Sequence, residues 1–223
     1  KCGVDIVKFQ TWSEKKLKPG PWDNDGRREI YKKAELSQEN HMFLKSFCEK
    51  NSVEFMTSIF NIDDLEFLLG LKMNMIKIPS HEVYNLDLIK EAIKYFDTIL
   101  VSTGAAKWEE VNKIMDLKNQ NKIVLMHCVS SYPCAPDLIN LPRMEELKKL
   151  SRFVGYSGHY IGIDDAIASI CHGAKIIEKH FTINQDLPGR DNKFAILPEE
   201  MKRLCDFRDN YEKMTLDLGL DLQ

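Results

Sequence analysis

The stretch KIVLMHC, residues 122–128, decides the fold: four apolar residues, Ile123 to Met126, stand in a row without polar alternation before His127. An unbroken apolar run of strand length fits a sheet buried on both faces, which means parallel strands covered by helices. Six further runs share this character: VDIVKFQ from Val4, EFMTS from Glu54, MIKIPS from Met75, TILVSTG from Thr98, FVGYSGH from Phe153 and KIIEKHF from Lys175. Amphipathic segments separate them, among them SQENHMFLKSFCEK, NIDDLEFLLG, NLDLIKEAIKYF, KWEEVNKIMDL and GIDDAIASICHG. Several of these open on an Asp or Asn cap and close near Gly. Strand and helix alternate throughout, so the fold class is α/β.

A doubly wound sheet usually carries a glycine-rich phosphate turn after its first strand, and no G-x-G-x-x-G occurs here. A (β/α)8 TIM barrel fits better. The barrel needs eight strands where seven runs are found, and the chain starts three residues before the first of them. We therefore expect one N-terminal βα unit to be absent, and residues 1–223 to form a single barrel domain. Two polar segments break the rhythm and read as long loops at strand ends: residues 11–35, with Pro19, Gly20, Pro21 and Gly26, and TINQDLPGRDNKFAILPEE from Thr182.

Composition narrows the partners. The 223 residues are 43% hydrophobic, sufficient for a large core, and carry a net charge of −3 from 31 basic and 34 acidic residues. Neither nucleic acid nor an anionic membrane is favoured by so even a balance. The six cysteines are widely spaced with no C-x-x-C pair, which fits reduced thiols in the cytoplasm and excludes a zinc ribbon. No apolar run approaches the ~20 residues of a membrane span.

Barrel enzymes carry their chemistry at the C-terminal ends of strands. The seven runs end on Lys8 and Gln10; Thr57 and Ser58; Lys77 and Ser80, with Glu82 following; Ser102 and Thr103; His127 and Ser130; Ser157 and His159; and Glu178 and His180. Any one hydroxyl after a strand is usually a turn former or a helix cap; the recurrence of hydrogen-bonding side chains on every run argues for a site. Lysines and hydroxyls without a matching crowd of carboxylates imply a phosphate or carboxylate ligand.

His159 and His180 close neighbouring strands and could reach one ion, although a lone histidine is more often a satisfied core residue. Two histidines leave open positions on a metal, which suits a catalytic divalent ion. His127 is a conceivable third ligand but reads better as core, and His41 and His172 read as structural or exposed. Glu178 shares a strand face with His180 and needs a partner, for which Lys8, Lys77 or a histidine is available.

Taken together, VDIVKFQT, FMTS, KIPSHE, LVSTG, HCVSSYP, GYSGH and IEKHFT with LPGRD resemble the sialic acid synthase (N-acetylneuraminate synthase) family over nearly the whole chain. The resemblance implies a barrel that condenses phosphoenolpyruvate with an open-chain N-acylamino sugar, N-acetylmannosamine or a diacetamido relative, to give a nonulosonic acid and phosphate. It implies a divalent ion, manganese or magnesium, on His159 and His180. Lys8, Thr57, Lys77, Ser80, Ser102, Ser130 and Ser157 are then the phosphoenolpyruvate candidates. Gln10, Tyr132 and Asp191 are the sugar candidates, and Lys8, Gln10 and Glu82 the catalytic ones, with Glu82 read as a proton-transfer or sugar-contact residue. The family often has Asp at Gly158, and Gly at Pro79 and His81. It also implies a homodimer at full length, a first strand bearing a glutamate, and a C-terminal antifreeze-like domain, both expected to be missing here, where the chain closes on LDLGLDLQ. Two other readings compete: a Schiff-base aldolase using Lys8 or Lys77, and a non-catalytic barrel.

Overall fold

The computed structural model describes residues 1–17, 19–20 and 23–217, so Pro21 of the first long loop and the chain end from Leu218 lie outside the described residues. Seven parallel strands form one sheet in sequence order: β1 (Ile6–Thr11), β2 (Glu54–Ile59), β3 (Met75–Ile78), β4 (Thr98–Ser102), β5 (Ile123–Cys128), β6 (Val154–Gly158) and β7 (Ile176–Lys179). All seven apolar runs are strands.

Helices α2 (Gln38–Lys50), α3 (Leu65–Gly70), α4 (Leu86–Tyr95), α5 (Trp108–Met115) and α7 (Asp164–Cys171) occupy the five amphipathic segments. Their starts follow from local chemistry. Ser37 Oγ accepts from Asn40 N at 3.1 Å, Asn85 Oδ1 accepts from Leu88 N at 3.2 Å, and Glu110 reaches back to the Lys107 N–H at 2.7 Å. Three helices extend the sequence reading: α1 (Arg27–Ala34), α6 (Arg143–Lys148) and α8 (Pro198–Met214). The first corrects the long-loop expectation for residues 11–35. RREIYKKA buries no residue, so it lacks the apolar stripe that marks a helix in sequence; Arg28 ties it to Glu14 and Asp23 instead.

Alternation along the strands sorts side chains into two sets. Phe55, Ile76, Ile78, Ile99, Val101, Ile123, Leu125 and Val154 face the helices in the large outer core. Met56, Leu100, Val124 and Met126, with Ile6, Met75 and Ile176 against them, fill the inside of the curl. β1 and β7 are the two ends of the sheet, yet Lys8 on β1 lies 3.2 Å from Glu178 on β7. That contact across the interior shows how far the sheet curls: it is a half-barrel whose apolar floor lies below a polar mouth. Among the described residues no helix is long and apolar enough to cross a membrane.

Candidate active site

The inward-facing positions one step above the apolar floor are Lys8, Ser58, Lys77, Ser102, Cys128, Ser157 and Glu178, and strand register sets them side by side. Gln10 pairs with Ser58, Ser58 with Lys77, Cys128 with Ser157, and Ser157 with Glu178. Glu178 is the hub. Lys77 Nζ sits 2.7 Å from one carboxylate oxygen; Lys8 Nζ, at 3.2 Å, and Ser157 Oγ, donating at 3.0 Å, share the other. Burial works against the Glu178 charge, but Lys77, Lys8 and the hydrogen bonds from Lys77 and Ser157 outweigh it and hold the carboxyl far below the usual range. Burial likewise pushes the Lys77 pKa down, with Glu178 pulling the other way; the Lys77 side chain is 2% exposed.

Glu178 thus takes both lysines that the sequence offered as its partners, and because one carboxylate serves two ammonium groups the cluster keeps a net positive charge. Around it lie hydroxyls with spare capacity. Ser102 is 3% exposed and its Oγ has no partner, a donor held dry and aimed inward. Ser80 Oγ lies 3.5 Å from Cys128 Sγ. A Cβ built on Gly104 would meet Ser130 Oγ at 2.8 Å, Cys128 Sγ at 2.9 Å and Ser80 Oγ at 3.0 Å. Only a glycine leaves that small polar cradle open.

The histidine pair stands beside this cluster. His159 Nδ1 donates to the Val129 carbonyl at 2.9 Å, which fixes the tautomer and leaves Nε2 free. The His180 ring centroid is 5.4 Å from that of His159, and His180 Nδ1 is 3.6 Å from Asp191 Oδ2. Phe194 packs edge-on against both rings, and Tyr132 lies 4.0 Å from His159, centroid to centroid. Burial lowers both histidine pKa values to about 4, with His159's carbonyl bond opposing it and Lys8 reinforcing it at His180. Burial, with Cys128 and Asp191 nearby, pushes the Tyr132 phenol up to about 12.

These residues fit a two-histidine metal site. Both rings are neutral at pH 7, as ligation requires, and one Nδ1 is anchored so that its other nitrogen can bind. Among the described residues no cluster of three or more His, Cys, Asp or Glu could hold a metal, so a bound ion would keep positions open for water or substrate. The depressed pKa values carry a stability consequence. Between the ordinary histidine value near 6.5 and about 4, the unfolded chain takes up protons that the folded rings refuse, so stability present above pH 6.5 is lost as pH falls. In chelator-treated protein we expect the unfolding free energy from urea denaturation to drop between pH 7 and pH 4.5, by roughly 2–3 kcal/mol per ring in the limit. His159→Ala should flatten part of that slope.

Not every candidate joins the site. Thr57 faces the helices, its Oγ1 2.9 Å from Thr11 Oγ1, which in turn lies 2.8 Å from His41 Nε2. The inward hydroxyl of that strand is Ser58, which accepts from Lys8 Nζ at 3.3 Å. Glu82 sits on a 3-10 turn after β3 and bonds Asn85 Nδ2 at 3.1 Å, apart from the Glu178 cluster. His127 is a core residue donating to the Ile139 carbonyl at 2.7 Å; His41 is buried and structural; His172 is exposed. His81 rests against Phe60. Three site residues are not singled out from sequence: Gly104, Cys128 and Phe194. Cys128 stands two positions from both Met126 and Ser130, a parity that could have marked it, whereas Phe194 lies in an irregular segment with no such signal.

The fold and site define a half-barrel α/β domain with a cationic, hydroxyl-lined mouth beside two neutral histidines. The NeuB family matches residues 1–218, and the chain belongs to that family. It is 33% identical to the N,N'-diacetyllegionaminic acid synthase of Campylobacter jejuni over 221 residues, 91% of this chain and 66% of that protein, so it spans just under two thirds of that relative. With the pseudaminic acid synthase of the same species it shares 30% identity over 237 residues, covering 100% of this chain and 69% of the relative. The crystal structure of the N-acetylneuraminic acid synthetase of Leptospira borgpetersenii, in complex with citrate, superposes with a TM-score of 0.90 at 26% identity, over 100% of this chain and 78% of that one.

Proposed function

We propose that the protein condenses phosphoenolpyruvate with an N-acylamino sugar to give a nonulosonic acid and phosphate, with a divalent metal, manganese or magnesium, on His159 and His180. The observation that carries this reading is the site's composition: two lysines sharing one carboxylate, a dry unpartnered Ser102 and the Gly104 cradle, all beside a ligation-ready histidine pair. The synthases among its relatives support it. The metal, when bound, would polarise the aldehyde oxygen and supply an activated water.

The chain's own residues do the rest. Lys77 and Lys8 neutralise the phosphate and carboxylate of phosphoenolpyruvate, with Ser58, Ser80, Ser102 and Ser130 donating hydrogen bonds; Ser157 and Lys8, the more accessible lysine, can turn from Glu178 to the ligand. Gln10, Tyr132 and Asp191 orient the sugar so that its aldehyde carbon meets C3 of the enol. A new C–C bond forms there, water adds at C2, and the C2–O bond to phosphate breaks. Glu82 contacts the sugar or relays a proton from outside the Glu178 cluster. In this reading the whole protein closes the curl of seven strands with one more between β7 and β1, works as a homodimer and resides in the cytoplasm, where its cysteines stay reduced.

Phosphate release from phosphoenolpyruvate by the full-length protein, measured with N-acetylmannosamine and the two diacetamido-trideoxy sugars of legionaminic and pseudaminic acid, tests the reading. Release is expected with one sugar and is abolished by a chelator. Borohydride treatment with pyruvate should trap no lysine adduct; trapping on Lys8 or Lys77 would favour an aldolase. Gly104→Ala should raise the KM for phosphoenolpyruvate about 10- to 100-fold with little change in Tm, since the new methyl crowds three polar ligand positions rather than the core.

A further inference from the structure

Directly behind the two histidines, on the helix side of the same strands, lies a buried charge cluster that the proposed chemistry does not use. Lys179 and Asp165 are 1% and 0% exposed at their side chains. Lys179 Nζ donates to Asp165 Oδ1 at 3.1 Å and Oδ2 at 3.0 Å and to the Tyr160 carbonyl at 2.8 Å, and Tyr156 OH donates to Asp165 Oδ2 at 2.9 Å. Lys179 stands between Glu178 and His180, and its register partner Gly158 stands between Ser157 and His159. The inward neighbours form the site, and the outward pair is bolted to α7 through Asp165.

Gly158 is what admits the bolt. A Cβ there would lie 2.2 Å from Asp165 Oδ2 and 2.5 Å from Tyr156 Cε1, so any side chain would expel the carboxylate. An ion pair this dry is no cheaper than an apolar pair of the same volume, so stability alone does not explain it. Its geometry fixes two things an apolar pair leaves loose: the strand end carrying His180, through Lys179, and the residue after His159, through the Tyr160 carbonyl.

We propose that Asp165, Lys179 and Tyr156 form a positioning lock that sets the distance and direction of the His159–His180 pair for the metal, with Gly158 as the space it requires. The proposal rests on the reading of those histidines as the metal pair.

The test is Mn²⁺ affinity, from the electron paramagnetic resonance signal of free Mn²⁺, without substrate, on the full-length protein. Wild type, His159→Ala, Asp165→Asn, Gly158→Ala and the apolar double variant Asp165→Leu with Lys179→Met are compared, with Tm measured alongside. We expect the double variant to stay folded, with a lower Tm because the Tyr156 hydroxyl and the Tyr160 carbonyl lose their partners, and to bind Mn²⁺ at least tenfold more weakly, and Gly158→Ala to weaken binding similarly. A folded double variant with wild-type affinity overturns the lock. Should the double variant fail to fold, the isosteric Asp165→Asn decides: unchanged affinity overturns the proposal and weakened affinity supports it. If His159→Ala binds as tightly as wild type, the metal reading itself fails and the lock falls with it; loss in His159→Ala without loss in the others condemns the lock alone.

Discussion

Replacing His159 or His180 with alanine in the full-length protein is expected to lower kcat/KM for metal-dependent phosphate release by at least about a thousandfold, the equivalent of roughly 4 kcal/mol of transition-state stabilisation. Each ring offers one ligand nitrogen, and among the described residues no third group stands close enough to complete a cluster. Loss of one ring leaves a single protein ligand, which does not hold a labile divalent ion at working concentrations. The fold should survive, because both rings sit at the mouth above the apolar floor rather than within it. Full activity in either variant contradicts the metal assignment.

The second large effect lies at Glu178. Glu178→Leu strands Lys77, whose ammonium is buried and has no other carboxylate within salt-bridge distance among the described residues. We expect a loss of about 3–5 kcal/mol in urea denaturation, the usual cost of leaving one member of a buried pair unmatched. Adding Lys77→Met should restore most of that stability, since two apolar groups need no solvation. Activity should not return, because the double variant has lost the lysine proposed to hold the phosphoenolpyruvate anion. Equal stability of the single and double variants would show that the pair is solvated rather than buried.

The seven strands were readable because a parallel sheet buried on both faces leaves apolar runs such as IVLM, and the caps of α2 and α4 were readable because Ser37 and Asn85 bond their own helices. The strand-end rule located Lys8, Lys77, Ser157, Glu178, His159 and His180 in one mouth. What it could not supply was parity. In FMTS two hydroxyls close the strand, and whether Thr57 or Ser58 turns inward depends on pairing with β1 and β3, which adjacent residues do not encode. Long-range electrostatics was legible in part: the shared strand face left Lys8, Lys77 or a histidine open as partners of Glu178, and the fold brings both lysines to it, Lys77 from 101 residues away. Helix α1 was lost in a polar segment because it has no buried face, and Phe194 because irregular backbone has no period to read.

Gly158 illustrates the limit from the other side. In sequence the resemblance makes it a departure from an expected aspartate; in the fold the space of its missing side chain is filled by the carboxylate of Asp165, seven residues on. A position that looks like a lost interaction is the opening through which a different one is made.

Phosphoenolpyruvate carrying ¹⁸O in the bridge between C2 and phosphorus gives the most direct test of the proposed condensation. With the full-length protein, Mn²⁺ and the accepted N-acylamino sugar, the label is expected to leave with inorganic phosphate and the sugar acid to contain none, because the C2–O bond breaks. Label retained in the organic product, or no phosphate formed with any of the three sugars, would contradict it.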